Sequence, residues 1–127
     1  MKKVLIFENE IPMVENTFKS INLLDFEEKL EIQYMQTSQE LKNINEIIDY
    51  DLVIIDIDLS NKSDKDGIGI IQDIKRENEK MLEKIFVLTG STKVKNTLNN
   101  LGFTNIPILK KPANLDEISK EMTRILK

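Results

Sequence analysis

Three short runs of apolar, largely β-branched residues constrain this chain more than anything else in it: Val4–Phe7, Leu52–Ile57 and Ile85–Leu88. Each run is continuous rather than alternating, the pattern of a strand covered on both faces, as in a parallel sheet. Leu30–Met35 alternates in part and reads as a further strand near an edge. Ile106–Leu109 is weaker, and Pro107 inside it confines it to an edge, because proline cannot donate to a strand ladder.

Helical periods fill the gaps. Ile11, Val14, Phe18 and Ile21 recur at helical spacing with Pro12 suited to a first turn. Leu41, Ile44 and Ile48 predict a second helix after Ser38, a good N-cap. Ile70, Ile71 and Ile74 follow Gly67, and Val94, Leu98 and Leu101 follow Ser91 and stop at Gly102, a natural residue just past a helix end. Leu115, Ile118, Met122 and Ile125 form the cleanest amphipathic stripe, capped by Asn114. The predicted order is βαβαβαβαβα, an α/β fold with a doubly wound five-stranded parallel sheet and helices on both faces. At 127 residues the expectation is a single domain over residues 1–127 with no output domain. One loop-like insertion stands out, Ser60–Gly67.

Composition removes several chemistries. The chain has no Cys and no His, so disulfides, thiolate metal sites, Ser–His pairs and imidazole phosphocarriers are absent. A formal net charge of −4 argues against a nucleic-acid surface. No stretch approaches the ~18 apolar residues of a membrane span. The basic start, Met1-Lys2-Lys3, leads into four apolar residues, too few for a signal peptide. The expectation is a cytoplasmic protein with neither nucleic-acid nor membrane partners, working through carboxylates, hydroxyls, lysines and a hard metal ion.

In open α/β sheets ligands bind beyond the carboxyl ends of the strands. Those ends carry Glu8-Asn9-Glu10, Asp56-Ile57-Asp58, Thr89-Gly90-Ser91 and Lys110-Lys111-Pro112. Carboxylates brought within a few Å repel unless a cation sits among them, and a partly open oxygen set suits Mg²⁺. An Asp there can attack phosphorus to give an aspartyl phosphate, with Thr or Ser hydroxyl and Lys ammonium holding the phosphoryl oxygens.

Over essentially its whole length the sequence resembles a response-regulator receiver domain, the phosphoacceptor module of two-component signalling. The matching pieces are Val4–Glu10, Tyr50–Asp56, Asp66-Gly67, Val87–Gly90 and Leu109–Pro112. The resemblance implies the flavodoxin-like (βα)5 receiver fold. It casts Asp56 as the phosphoacceptor and Glu8 and Asn9 as the acidic pair that holds Mg²⁺ with Asp56. Asp58 stands where a backbone carbonyl joins the metal shell, Thr89 in the hydroxyl position, and Lys111 in that of the phosphate-binding lysine. Pro112 matches the proline that follows a cis peptide. It further implies Mg²⁺ as cofactor and no enzymatic activity beyond self-phosphorylation and autodephosphorylation. A histidine kinase or phosphotransfer protein would supply the phosphoryl group, and a downstream target would read the last helix and fifth strand.

The sequence also departs from that pattern. The usual pair of Asp residues is Glu8 and Asn9, which removes one negative charge from the metal site. Glu8, Asp56 and Asp58 against Lys111 still leave two negative charges, which one Mg²⁺ neutralises. Ile108 replaces the switch aromatic, so a conformational change must travel through backbone shifts. Asp58 and Ser91 flank the approach of the hydrolytic water. Other readings are a degenerate receiver that binds partners without phosphorylation and a haloacid-dehalogenase-like phosphatase using Asp56 and Asp58. The latter needs a further acidic pair, and only Asp116 and Glu117, on a predicted helix, follow the lysine. Gly67-Ile68-Gly69 and Thr89–Lys93 fit no nucleotide-binding fingerprint.

Overall fold

The structure, a computed structural model, describes residues 1–127. Its strands are β1 (Lys2–Phe7), β2 (Leu30–Met35), β3 (Leu52–Asp56), β4 (Ile85–Thr89) and β5 (Ile108–Lys110). Its helices are α1 (Ile11–Asp25), α2 (Gly67–Glu77), α3 (Val94–Asn100) and α4 (Leu115–Leu126). All strand pairs are parallel, in the order β2-β1-β3-β4-β5. The expected doubly wound sheet is therefore present, with β2 and β5 at its edges. No helix is long and apolar enough to cross a membrane.

The continuous apolar runs behave as their pattern demands: every residue of β3 and β4 is buried. Alternate side chains feed two cores. On one face Val4, Ile6, Leu52, Ile54, Phe86 and Leu88 pack with Phe18 and Ile21 of α1 and Ile118 and Met122 of α4. On the other, Leu5, Phe7, Val53, Ile55 and Val87 pack with Ile70, Ile71 and Ile74 of α2 and Leu98 of α3.

The expected second α-helix is not formed. Two short 3₁₀ segments, Ser38–Glu40 and Ile44–Asp49, replace it. Local polar groups account for this, because Asn, Ser and Thr side chains compete with the helical ladder for backbone partners. Thr37, rather than Ser38, opens the first segment, and Glu40 accepts from the amides of Gln36 and Thr37. The Asn43 side chain then accepts from Asn45 N and restarts the chain. Ile47 alone of the second segment is fully buried, enough to keep the crossover seated on α2 and the sheet.

Elsewhere the boundaries move slightly. β5 begins after Pro107, and Lys93 rather than Ser91 precedes α3, whose end is followed by Gly102 at φ 89° as expected. Asp66 caps α2 by accepting from Gly69 N at 2.9 Å, and Asn114 caps α4 by accepting from Glu117 N at 2.7 Å.

Gly67 is required by close approach. Its N–H donates to the carbonyl of Ile57 at 3.0 Å, and a Cβ there would lie 2.6 Å from the Asp56 carbonyl oxygen and 2.6 Å from Ile57 Cα. Both neighbours are backbone of the β3 end, so neither can swing aside. Gly67→Ala is expected to destabilise the protein by about 1–3 kcal/mol, as overpacking typically does. The loss should register as a lower urea midpoint at unchanged m-value.

Candidate functional site

Only three polar or charged residues are buried in the molecule: Glu8, Asp56 and Thr89, at 2%, 6% and 1% exposure. All three end or follow central strands at the carboxyl edge of the sheet. Register explains their meeting. Phe7 pairs with Ile55 and Asp56 with Leu88, so Glu8 and Thr89 each lie one step past a paired position beside Asp56. Glu8 and Asp56 also extend the alternate rows Val4–Ile6 and Leu52–Ile54, which puts both at the end of the same sheet face.

Lys111, just past β5, supplies the cation. Its ammonium donates to Asp56 Oδ2 at 3.0 Å and makes a short ion pair with Glu8 Oε1. Each carboxylate keeps a second partner: Glu8 Oε2 accepts from Glu10 N at 3.2 Å, and Asp56 Oδ1 accepts from Asp58 N at 3.1 Å. Lys111 is aimed by its own backbone, whose N–H donates to the Thr89 carbonyl at 2.8 Å, and the Lys111–Pro112 peptide is cis. Thr89 Oγ1 accepts from Ser91 N at 3.1 Å.

Burial pushes the Asp56 carboxyl up to about 6, and the neighbouring Glu8 carboxyl pushes the same way, while Lys111 pulls it down. Burial acts to lower Lys111, but its hydrogen bonds to Glu8 and Asp56 prevail and hold it above the usual lysine value. The ammonium is therefore a fixed positive charge at neutral pH.

Above these groups opens a cleft of about 310 Å³ lined by Asn9, Asp56, Asp58, Gly90 and Lys111. The structure thus gathers Glu8, Asp56, Thr89 and Lys111 in one place, with Asn9 half-buried on the wall. Asp58 is exposed: its amide, not its carboxylate, touches Asp56. No three acidic side chains form one ligand group. Asp116 and Glu117 lie exposed in the first turn of α4, outside this cleft. Residue chemistry alone did not reveal two members: the Glu10 amide that steadies Glu8, and Gly67, whose missing side chain lets α2 press on the carbonyl of Asp56. The Asp66-Gly67 pair was the one available signal for the second.

Comparison with known proteins agrees with this geometry. The family model for the response regulator receiver domain matches residues 4–123. The chain belongs to the response regulator receiver domain family. Among solved structures it is similar to the signal receiver domain of a DNA binding response regulator protein from Colwellia psychrerythraea 34H. That match has a TM-score of 0.78 at 16% identity over 98% of that chain and 99% of this one. A CheY-like response regulator receiver domain protein from Methanospirillum hungatei JF-1 matches with TM-score 0.73 at 22% identity, over 92% of that chain and 98% of this one. A two-component response regulator from Clostridium difficile matches with TM-score 0.70 at 23% identity, over 96% of that chain and 99% of this one. At these identities the likeness shows the fold. No curated protein matches the sequence.

Receiver domains generally bind Mg²⁺ at the acidic pocket. The donors here suit such an ion: Mg²⁺ needs only one or two carboxylates and keeps several waters. Glu8 and Asp56 supply two, beside the Asn9 amide.

The raised Asp56 value has a consequence for stability. A carboxyl whose folded pKa exceeds its unfolded one favours the fold when protonated, so its contribution is lost as pH rises from about 4 through about 6. Asp56→Asn removes that loss. In metal-free buffer the variant should match wild type near pH 4 and exceed it above pH 6, by on the order of 2 kcal/mol. Urea denaturation across that range checks this, and a constant difference would refute it.

Proposed function

We propose that this receiver domain accepts a phosphoryl group on Asp56 from a histidine kinase or phosphotransfer protein and signals through protein contact. The observation that carries the reading is the convergence of two of the molecule's three buried polar side chains, Glu8 and Asp56, on the ammonium of Lys111 beneath an open cleft, with the third, Thr89, one register step away.

The chemistry follows from those groups. At neutral pH Asp56 is largely ionised, and one oxygen attacks phosphorus while the bond from phosphorus to the donor breaks and its electron pair leaves with the donor atom. Lys111 stays bound to the carboxylate it already holds and offsets the charge of about −1.5 to −2 that the phosphoryl group brings. Thr89, one register step from Asp56, offers a hydroxyl to the phosphoryl oxygens. The Asp58 amide fixes the attacking carboxylate. Glu8, Asn9 and Asp56, with Asp58 at the rim, would hold Mg²⁺, which when bound neutralises oxygen charge in the pocket. No further enzymatic activity is assigned, and a cytoplasmic setting belongs to the same reading. The read-out surface is α4 with β5, which ends one residue before Lys111.

A second reading, a receiver that acts without phosphorylation, draws on one observation. Asn9 leaves only two buried acids, and Lys111 already pairs with both. Incubation with acetyl phosphate and Mg²⁺ followed by intact mass separates the two. A single phosphoryl adduct in wild type, absent from Asp56→Asn, supports the first, and an unmodified wild type at saturating donor and metal favours the second. In a direct metal titration Asn9→Asp should bind Mg²⁺ several-fold more tightly, as an added carboxylate in a partly buried cation site predicts. Unchanged or weaker affinity would remove Asn9 from the metal shell.

A further inference from the structure

The insertion between β3 and α2 is tied down by residues that the missing second helix leaves free. Gln39 grips it with both ends of its amide: Nε2 donates to the Lys62 carbonyl at 2.7 Å, and Oε1 accepts from Asp64 N at 2.8 Å. Ser38 does the same with backbone and hydroxyl, its N–H donating to Ser63 Oγ at 2.8 Å and its Oγ accepting from Lys65 N at 3.0 Å. Ser63 Oγ also donates to the Lys65 carbonyl at 2.6 Å, closing the tip on itself.

From this tip a hydrogen-bonded route runs back to the phosphoacceptor. Ser63 N donates to the Ser60 carbonyl at 2.9 Å, and Lys62 N to Ser60 Oγ at 3.2 Å. At the base, Leu59 N and Gly67 N both donate to the Ile57 carbonyl, at 3.2 and 3.0 Å. That pinch sets the peptide whose next amide, Asp58 N, holds Asp56 Oδ1. Asp58 and Leu59 are themselves wall residues of the cleft. Leu59 packs against the core, but the tip bonds are exposed to water. Such bonds contribute little individually, so the tip is held by their number and geometry.

We infer that Gln39 and Ser38 are positioning residues, which fasten the 60–66 loop as a strap and through it fix the Ile57–Leu59 turn that orients the Asp56 carboxylate. The inference rests on the phosphoacceptor reading for its consequence, but not for its physical test. The insertion and the missing second helix thereby become one device, since the 60–66 loop is docked by the turn that replaces the helix.

Amide hydrogen exchange in the unphosphorylated chain decides it. In Gln39→Ala the Asp64 amide should exchange about threefold to tenfold faster, as loss of an exposed hydrogen-bonded clamp predicts. The Asp58 amide should accelerate with it. Ser63→Ala should do the same from the other side of the clamp. Acceleration at Asp64 with Asp58 unchanged would overturn the inference, and so would an unchanged Asp64. With acetyl phosphate and Mg²⁺, the maximal rate of Asp56 phosphorylation should fall by a similar factor at unchanged half-saturating donor. Gln39→Glu, which keeps the acceptor for Asp64 N, should recover part of the loss. Equal maximal rates in wild type and Gln39→Ala would also refute the role. Should wild type take no phosphoryl group, the phosphoacceptor reading falls, and the exchange comparison alone decides the strap.

Discussion

The structure depends on one arrangement, an ammonium shared between two carboxylates at the end of a parallel sheet. Removing Glu8 and Asp56 from water costs several kcal/mol per ion unless each is paired and hydrogen-bonded. Lys111 pairs with both, and the amides of Glu10 and Asp58 take the remaining oxygens. The raised Asp56 value shows that the compensation is incomplete. Two carboxylates against one ammonium leave net negative charge beside the cleft, which suits the Mg²⁺ that receiver domains generally bind at the acidic pocket.

Topology makes that arrangement possible. In the order β2-β1-β3-β4-β5, β1 and β3 are direct neighbours although some 45 residues separate them, and the chain reverses its direction across the sheet at β1. Crossovers to either side leave a crevice there, above the carboxyl ends. β4 and β5 extend the same edge, so a hydroxyl and an ammonium arrive from two further strands. Gly67 then lets α2 start directly against the backbone of Asp56, which leaves that residue little freedom to shift.

Much of this was legible in the residues. β3 and β4 read directly, because a buried parallel strand has to be apolar at every position, and the cap at Asn114 announced the last helix. Glu8, Asp56, Thr89 and Lys111 were legible as chemistry at strand ends. The region from Thr37 to Asp49 was not, because Leu41, Ile44 and Ile48 carry a helical period while Thr37, Glu40 and Asn43 spend their side chains on the backbone. Ile48 is 60% exposed, so the period there was no core stripe. Nor was the pairing of Glu8 with Lys111 legible, since spacing says nothing of which acid a cation 103 residues away will prefer. The loop clamp left no periodic trace at all, being built from exposed polar groups that any surface loop contains.

How a change at Asp56 reaches the surface is constrained by the same bonds. Thr89 links two elements: its carbonyl accepts from Lys111 N, and its hydroxyl accepts from Ser91 N. On the proposed phosphorylation of Asp56 the Thr89 hydroxyl would donate to a phosphoryl oxygen, and turning toward Asp56 would draw its oxygen away from Ser91 N in the turn that leads into α3. The Lys111 ammonium already holds Asp56, which ties β5 and the start of α4 to the site. Ile108, half-buried in β5 opposite Val87, offers no ring to swing between two rotamers. Under the proposed function the movable part is then the 89–93 backbone rather than a side chain, and the β5–α4 surface would carry the state through its position relative to that backbone.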